Sequence, residues 1–411
     1  MNSPRASTQA STMRSNTMTD ALLTAGQVIT GPNGARITDG AVLVRGDRIA
    51  AVGPREEIER LAPEGLPTTA VPDGTLLPGL IDSHVHLIFD GGATPLETAQ
   101  QTADEELLVG MADRARRLLH SGVTTVRDLG DRDGLAIRLR DTIANGVLPG
   151  PRILSAATPL TSPGGHLHSF GGEVSGEDAI RAVIRRNADL GAEVIKVMGT
   201  GGGMTKGGPA IWQNQFTEHE LSIVVDEATR HGLPVAVHAH GTDGIAAAVR
   251  AGVTTIEHCT WMTEGGDFDL REDLATQIKS QGISVCTATS PNWRGFAERV
   301  GQERAEYLFS SMRWMADLGI PMIAGTDAGV TRAVFDRLVN TLEFYEYLGL
   351  SNAKIIDMAT ADAAQALGIT DTGRIAEGQR ADIIAVDGDP LVDLGALRDI
   401  RLVIAGGKRV R

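Results

Sequence analysis

The stretch PGLIDSHVHL, residues 78–87, decides how the rest of the chain is read. It completes the apolar run TLLPGLID (75–82), which predicts a buried strand, and sets His84 and His86 at that strand's end. Alternate side chains of a strand share a face, so both imidazoles point the same way and can bind one metal ion. An H-x-H pair alone is a weak signal. It gains weight because further potential ligands end other short β-branched runs: Lys196 in EVIKVMG, His238 in PVAVHAH, His258 in TTIEHCT and Asp327 in IAGTDAG.

Working outward, similar runs recur at 123–128 (VTTVRD), 152–156 (RILSA), 193–198 (EVIKVM), 234–239 (PVAVHA), 253–258 (VTTIEH), 283–288 (ISVCTA) and 321–327 (PMIAGTD). Helical stretches such as EELLVGMADRARRLLHSG and TEHELSIVVDEATRHG separate them. Eight strands in βα alternation predict an α/β fold, a (β/α)8 TIM barrel over 75–366, whose strand ends would bring the ligands together at one mouth. A doubly wound sheet would need a phosphate-binding glycine fingerprint after its first strand, and there is none. The flanks, 21–74 and 367–411, are alternating and turn-rich, which predicts one small β-sandwich domain assembled from both ends.

The composition suits this reading. The 411 residues suffice for a barrel with a satellite domain, and 49 glycines with only 4% aromatic residues suit tightly packed α/β layers. A formal charge of −14, with no basic stretch, argues against a nucleic-acid partner. Two cysteines are too few for a disulfide framework, and Cys259, next to His258, reads as a small buried residue. Residues 1–20 are rich in Ser and Thr and lack a signal peptide's apolar core, so they are expected to be a disordered leader. No apolar run approaches the roughly 20 residues that span a bilayer, and a cytoplasmic location without membrane contact is expected.

Lys196 sits inside an apolar strand, where an ammonium is disfavoured unless paired with a carboxylate. Beside metal ligands it is unwelcome twice over, since it has no lone pair and repels cations. Reaction of its neutral amine with CO2 would give a carbamate able to bridge two metals about 4 Å apart. Asp327 could cap a helix; among metal ligands, it is better placed to take a proton from an attacking water.

In this order the residues resemble the amidohydrolase superfamily, from Ala21 to the C-terminus. The resemblance is to its binuclear branch, similar to imidazolonepropionase-like Xaa-Pro dipeptidases and N-acyl amino acid hydrolases. GVTTVRDLG, TSPGGHLH, IKVMGTGGG and VHAHGTDGI support that branch less specifically than the ligands do. The resemblance implies that His84, His86 and Asp327 hold the more buried metal, that Lys196, carboxylated, bridges both, and that His238 and His258 hold the second. Two divalent ions, zinc by habit of the family, are the implied cofactors. Imidazolonepropionase itself uses one metal and has no bridging Lys, so Lys196 argues against that assignment.

The implied activity is hydrolysis of an amide bond in a dipeptide or N-acyl amino acid by a metal-bridging hydroxide, with Asp327 moving the proton. The alternative target is a carbamate, urea-type, lactam or ochratoxin-like xenobiotic amide; a non-catalytic interaction protein ranks last because every ligand position is occupied. His240 shares a face with His238 and either hydrogen-bonds the reacting carbonyl or is a polar rim residue. His166 and His168, on a Gly-rich loop, are expected to touch substrate, and Trp212 and Trp261 either line the pocket or simply pack. A small-molecule amide substrate and a homo-oligomer are the expected partners.

Overall fold

The computed structural model describes residues 20–411. The leader expected over 1–20 lies outside them except for Asp20, whose carboxylate accepts a hydrogen bond from Gly46 N at 3.0 Å. The chain opens with an antiparallel meander, β1 (Ala21–Gly31), β2 (Ala35–Arg45) and β3 (Arg48–Pro54). Asn33 and Gly34, at φ 60° and 67°, supply the left-handed pair that a tight β1–β2 hairpin needs. β4 (Thr68–Pro78) then lies parallel to β1.

Eight short strands follow: β5 (Leu80–Val85), β6 (Val123–Asp128), β7 (Arg152–Ser155), β8 (Ile195–Met198), β9 (Val235–Gly241), β10 (Thr255–Met262), β11 (Ser284–Cys286) and β12 (Met322–Ile323). The run expected as one strand over 75–82 is therefore two. The chain changes sheets at Gly79, where a Cβ would lie 2.1 Å from Thr124 Oγ1, so only glycine passes. The eight strands are parallel and form sheets of three (β5-β6-β7) and five (β8 to β12). Hydrogen bonds cross both gaps between these sheets. Leu160 N donates to Lys196 O at 2.9 Å at one, and Ser83 N donates to Ala324 O at 2.9 Å and Asp327 N to His84 O at 2.9 Å at the other.

Amphipathic helices cover these sheets. Asp104–His120 buries Leu107, Met111, Ala115, Leu118 and Leu119, the stripe a 3.6-residue period dictates, with acids in its first turn and Arg117 and His120 in its last. Glu218–Arg230 starts on a capping box, Thr217 with Glu220. Among the described residues no helix is long and apolar enough to cross a membrane.

β13 (Ile383–Asp387), β14 (Ile400–Ala405) and β15 (Lys408–Arg409) return to the first sheet, where β13 pairs with β4. Hydrogen bonding thus runs through seven strands in the order β15-β14-β13-β4-β1-β2-β3. The small β domain expected from both ends is one continuous sheet, because β4 is long enough to pair with β1 and β13 at once. That sheet curls over its own apolar core, which joins Leu23, Val42, Ile49, Leu76, Ile383 and Leu402.

Candidate metal centre

β5 delivers His84 and ends just before His86, and both imidazoles converge on Asp327: His84 Nε2 lies 3.4 Å and His86 Nε2 3.5 Å from Asp327 Oδ1. Their other nitrogens are engaged. His84 Nδ1 lies 2.8 Å from Glu257 Oε2 and His86 Nδ1 3.3 Å from Gly130 O. A carboxylate and a carbonyl can only accept, so each Nδ1 carries its hydrogen and each Nε2 presents a lone pair. Three acceptors then face one another with no proton between them, an arrangement that a cation would satisfy.

His238, His240 and His258 form a second group, with ring centroids 4.5 to 4.6 Å apart. Their potential ligand atoms lie within 4.8 Å of one another, as do those of His84, His86 and Asp327. His238 Nε2 donates to Gly201 O at 3.1 Å, leaving Nδ1 free. The Thr260 hydroxyl donates to His240 O at 3.2 Å, so it accepts from His240 Nδ1 at 3.0 Å and leaves Nε2 an acceptor. The His84 and His258 rings, 5.3 Å apart, connect the two groups.

Lys196 is 1% exposed, and its Nζ has no hydrogen-bond partner. Burial pulls its pKa down to about 8 against the opposing pull of Glu257. Burial also lowers His86, His238 and His258 well below the ordinary imidazole range, which keeps them in the neutral form that a metal requires. Burial raises Asp327, with His84 and Lys196 opposing. His258 and Asp327 sit at φ 67° and 55°, left-handed backbone that costs a non-glycine residue about 1–3 kcal/mol. Both belong to the candidate ligand groups, although Cys259, Trp261 and Ala288 nearby share that backbone without being in either group.

The other expected contacts divide. His166 is buried, its ring 5.0 Å from that of His238 and its Nδ1 3.1 Å from Thr205 Oγ1. The 201–205 loop runs directly over it, since a Cβ at Gly202 would lie 2.4 Å from His166 Nε2. Trp212 is half-buried, and its carbonyl oxygen would lie 2.0 Å from a Cβ at Gly241, at the end of β9. Trp261 is fully buried and packs edge-on against Trp314 at 5.4 Å, so it belongs to the core and does not line a mouth. His168 opens the short turn His168–Phe170 and stacks on no other histidine among the described residues. Cys259 and Cys286 are free and buried.

Several residues that hold the site were not singled out from the sequence. Glu257, within β10, accepts from His84, from Arg127 at 2.8 Å and from Thr255 at 2.6 Å. Burial would raise its pKa, but Arg127 and His84 outweigh it and hold the carboxyl well below the usual range. Asp82 accepts from Thr326 N and Oγ1, at 3.0 and 2.6 Å, and clamps β5 to the segment that carries Asp327. The available signal was an ionisable residue within an apolar run, the same one that marked Lys196.

The amidohydrolase family profile matches residues 75–410. The chain belongs to the amidohydrolase family. A shorter match, to the imidazolonepropionase-like composite domain of bacteria, covers residues 40–64. Ochratoxinase of Aspergillus niger is 27% identical, over 94% of this chain and 86% of that enzyme. Imidazolonepropionase of Anaeromyxobacter sp. (strain K) is 26% identical, over 86% of each. A solved Xaa-Pro dipeptidase with methionine bound in its active site superposes with a TM-score of 0.83 at 28% identity, over 96% of this chain and all of that one. This amidohydrolase is a hydrolase acting on carbon–nitrogen bonds, and amide hydrolysis is its general chemistry.

Proposed function

We propose that the two parallel sheets act as one (β/α)8 barrel whose strand ends carry a two-metal centre that hydrolyses the amide bond of a dipeptide or N-acyl amino acid. The observation that carries this reading is the three-ligand group His84, His86 and Asp327 beside the group His238, His240 and His258, with the buried, unpartnered amine of Lys196 near enough to act electrostatically on both. His84, His86 and Asp327 would hold one cation and His238 with His258 the other. His240, for which a hydrogen bond to the reacting carbonyl and a polar rim role were both open, has its Nε2 lone pair available and in this reading completes the second ligand set.

Bound there, two divalent cations, zinc being the expected pair, would make water nucleophilic near neutral pH and polarise the amide carbonyl. Lys196, carboxylated by CO2, would turn a repelling ammonium into a bridging anion, and its lowered pKa of about 8 favours the neutral amine that this reaction needs. Asp327 takes the proton of the attacking water and returns it to the leaving nitrogen. His166, roofed by the 201–205 loop, stands on the His238 side of the site, where it can orient the substrate.

A second reading keeps the site and changes the target to an ochratoxin-like amide. Similarity to ochratoxinase over 94% of the chain favours it. Protein produced with zinc should contain close to two ions per chain, and chelation should abolish hydrolysis. Metal analysis giving one ion or none in active protein overturns the two-metal reading. A panel of Xaa-Pro and other dipeptides, N-acyl amino acids and ochratoxin-like amides, compared by kcat/KM, decides between the targets.

A further inference from the structure

We infer that Glu257 is a positioning residue that fixes the tautomer of His84 and makes the site of His84, His86 and Asp327 the tighter of the two cation sites. The inference rests on the two-metal reading above. Glu257 has no exposed surface, and three donors hold its carboxylate. Oε1 accepts from Arg127 Nη2 at 2.8 Å and Thr255 Oγ1 at 2.6 Å, and Oε2 from His84 Nδ1 at 2.8 Å. These bonds commit the carboxylate to holding His84 in place.

The donors are fixed in turn. Arg127 Nε donates to Ser83 O at 2.7 Å and its Nη1 to Thr255 Oγ1 at 2.9 Å, so one guanidinium ties together β5, β6 and β10. Thr255 accepts from Arg127 and therefore spends its single hydroxyl hydrogen on Glu257. Every hydrogen in the network has one direction, and it ends with Nδ1 protonated and the His84 Nε2 lone pair aimed at Asp327.

The other imidazoles with an identified support lean on neutral groups. His86 donates to the Gly130 carbonyl, His238 to the Gly201 carbonyl and His240 to the Thr260 hydroxyl. A carboxylate behind a ligating imidazole raises its basicity, and losing such a partner typically costs about 10–100-fold in metal affinity. Asp327 adds a second anion to the same site, so the cations should load in order, this site first.

Metal-free protein titrated with zinc against a competing chelator tests the idea without reference to activity. The wild type should bind in two steps of unequal affinity. Glu257→Gln keeps an oxygen for His84 but removes the charge; it should weaken the tighter step by about 10–100-fold and leave the second unchanged. Thr255→Val removes one donor from the carboxylate and should weaken the same step less, so it carries the test if the Gln variant does not fold. Two wild-type steps with both variants unchanged, or with both steps weakened equally, overturn the assignment of Glu257. A wild type that binds fewer than two ions is a different failure, that of the two-metal reading itself.

Discussion

Lys196 stood out in the sequence because a long cation in the apolar run EVIKVM needs a partner, and the structure buries its amine without one. Glu257 in TTIEHC and Arg127 in VTTVRD carry the same signal, yet their meaning depends on finding each other across 130 residues of chain. A pattern along one strand cannot report a partner on another. The left-handed backbones of His258 and Asp327 were equally hidden, because Asp and His favour positive φ only relative to other residues and most of them still adopt negative φ. The carbamate reading of Lys196 has a specific consequence. Lys196→Ala should lose both activity and the paired metals, and acetate or propionate should restore part of each by standing in for the carbamate. Lys196→Arg should stay inactive, because a guanidinium is always charged and does not take up CO2. Metal content and steady-state rates measured on the same preparations check this, and full activity in the Arg variant would sink it.

At the scale of elements, apolar runs located each of the eight parallel strands, and their ends were where tertiary contacts overruled the pattern. PMIAGTD, for instance, supplies only Met322 and Ile323 as a ladder, because Ala324 N turns away to Met358 O at 2.9 Å. Pairing between helices was illegible for the reason that hid Glu257. Glu177–Leu190 and Glu218–Arg230 are joined by Glu227, which takes hydrogen bonds from Arg185 and Arg181, each at 2.7 Å. The Arg185 bond, against the opposing effect of burial and with help from Arg181, holds the Glu227 pKa down at about 2. In the unfolded chain the carboxyl takes up its proton near its ordinary 4.5. Its stabilisation is therefore complete above that pH and is lost as pH falls toward 2. Urea unfolding of metal-free protein should find Glu227→Gln less stable than wild type by about 1 kcal/mol at pH 7, since Arg185 is more than half exposed and water screens the pair, with the gap closing as the pH is lowered below 4.5. A gap that stays constant down to pH 3 would show that the pair contributes nothing through its charge.

The whole molecule is held together by contacts between parts far apart in sequence, and these join the first and last ligands. Asp82 and Thr326, 244 residues apart, meet through two hydrogen bonds, and Thr326 Oγ1 also accepts from Ala328 N at 3.0 Å. Around that clamp, His86 N donates to Ala328 O at 2.8 Å and Asp327 N to His84 O at 2.9 Å. The residues that meet as the candidate groups could be picked from the sequence, whereas the seam that registers them could not, since Thr326 looks like one more small residue in GTDAG. Thr326→Val preserves shape but removes the hydroxyl, leaving an oxygen of buried Asp82 and the amide of Ala328 without partners. Each such loss costs about 1–3 kcal/mol, so the variant should be measurably less stable in urea. Because the seam carries His84, His86 and Asp327, the same variant should, on the two-metal reading, shed zinc to a chelator from that site sooner than from the site of His238, His240 and His258. Thr326→Ser retains the hydroxyl and should behave as wild type in both assays. Wild-type stability and zinc retention in the Val variant would mean that the ligands hold their register without the clamp.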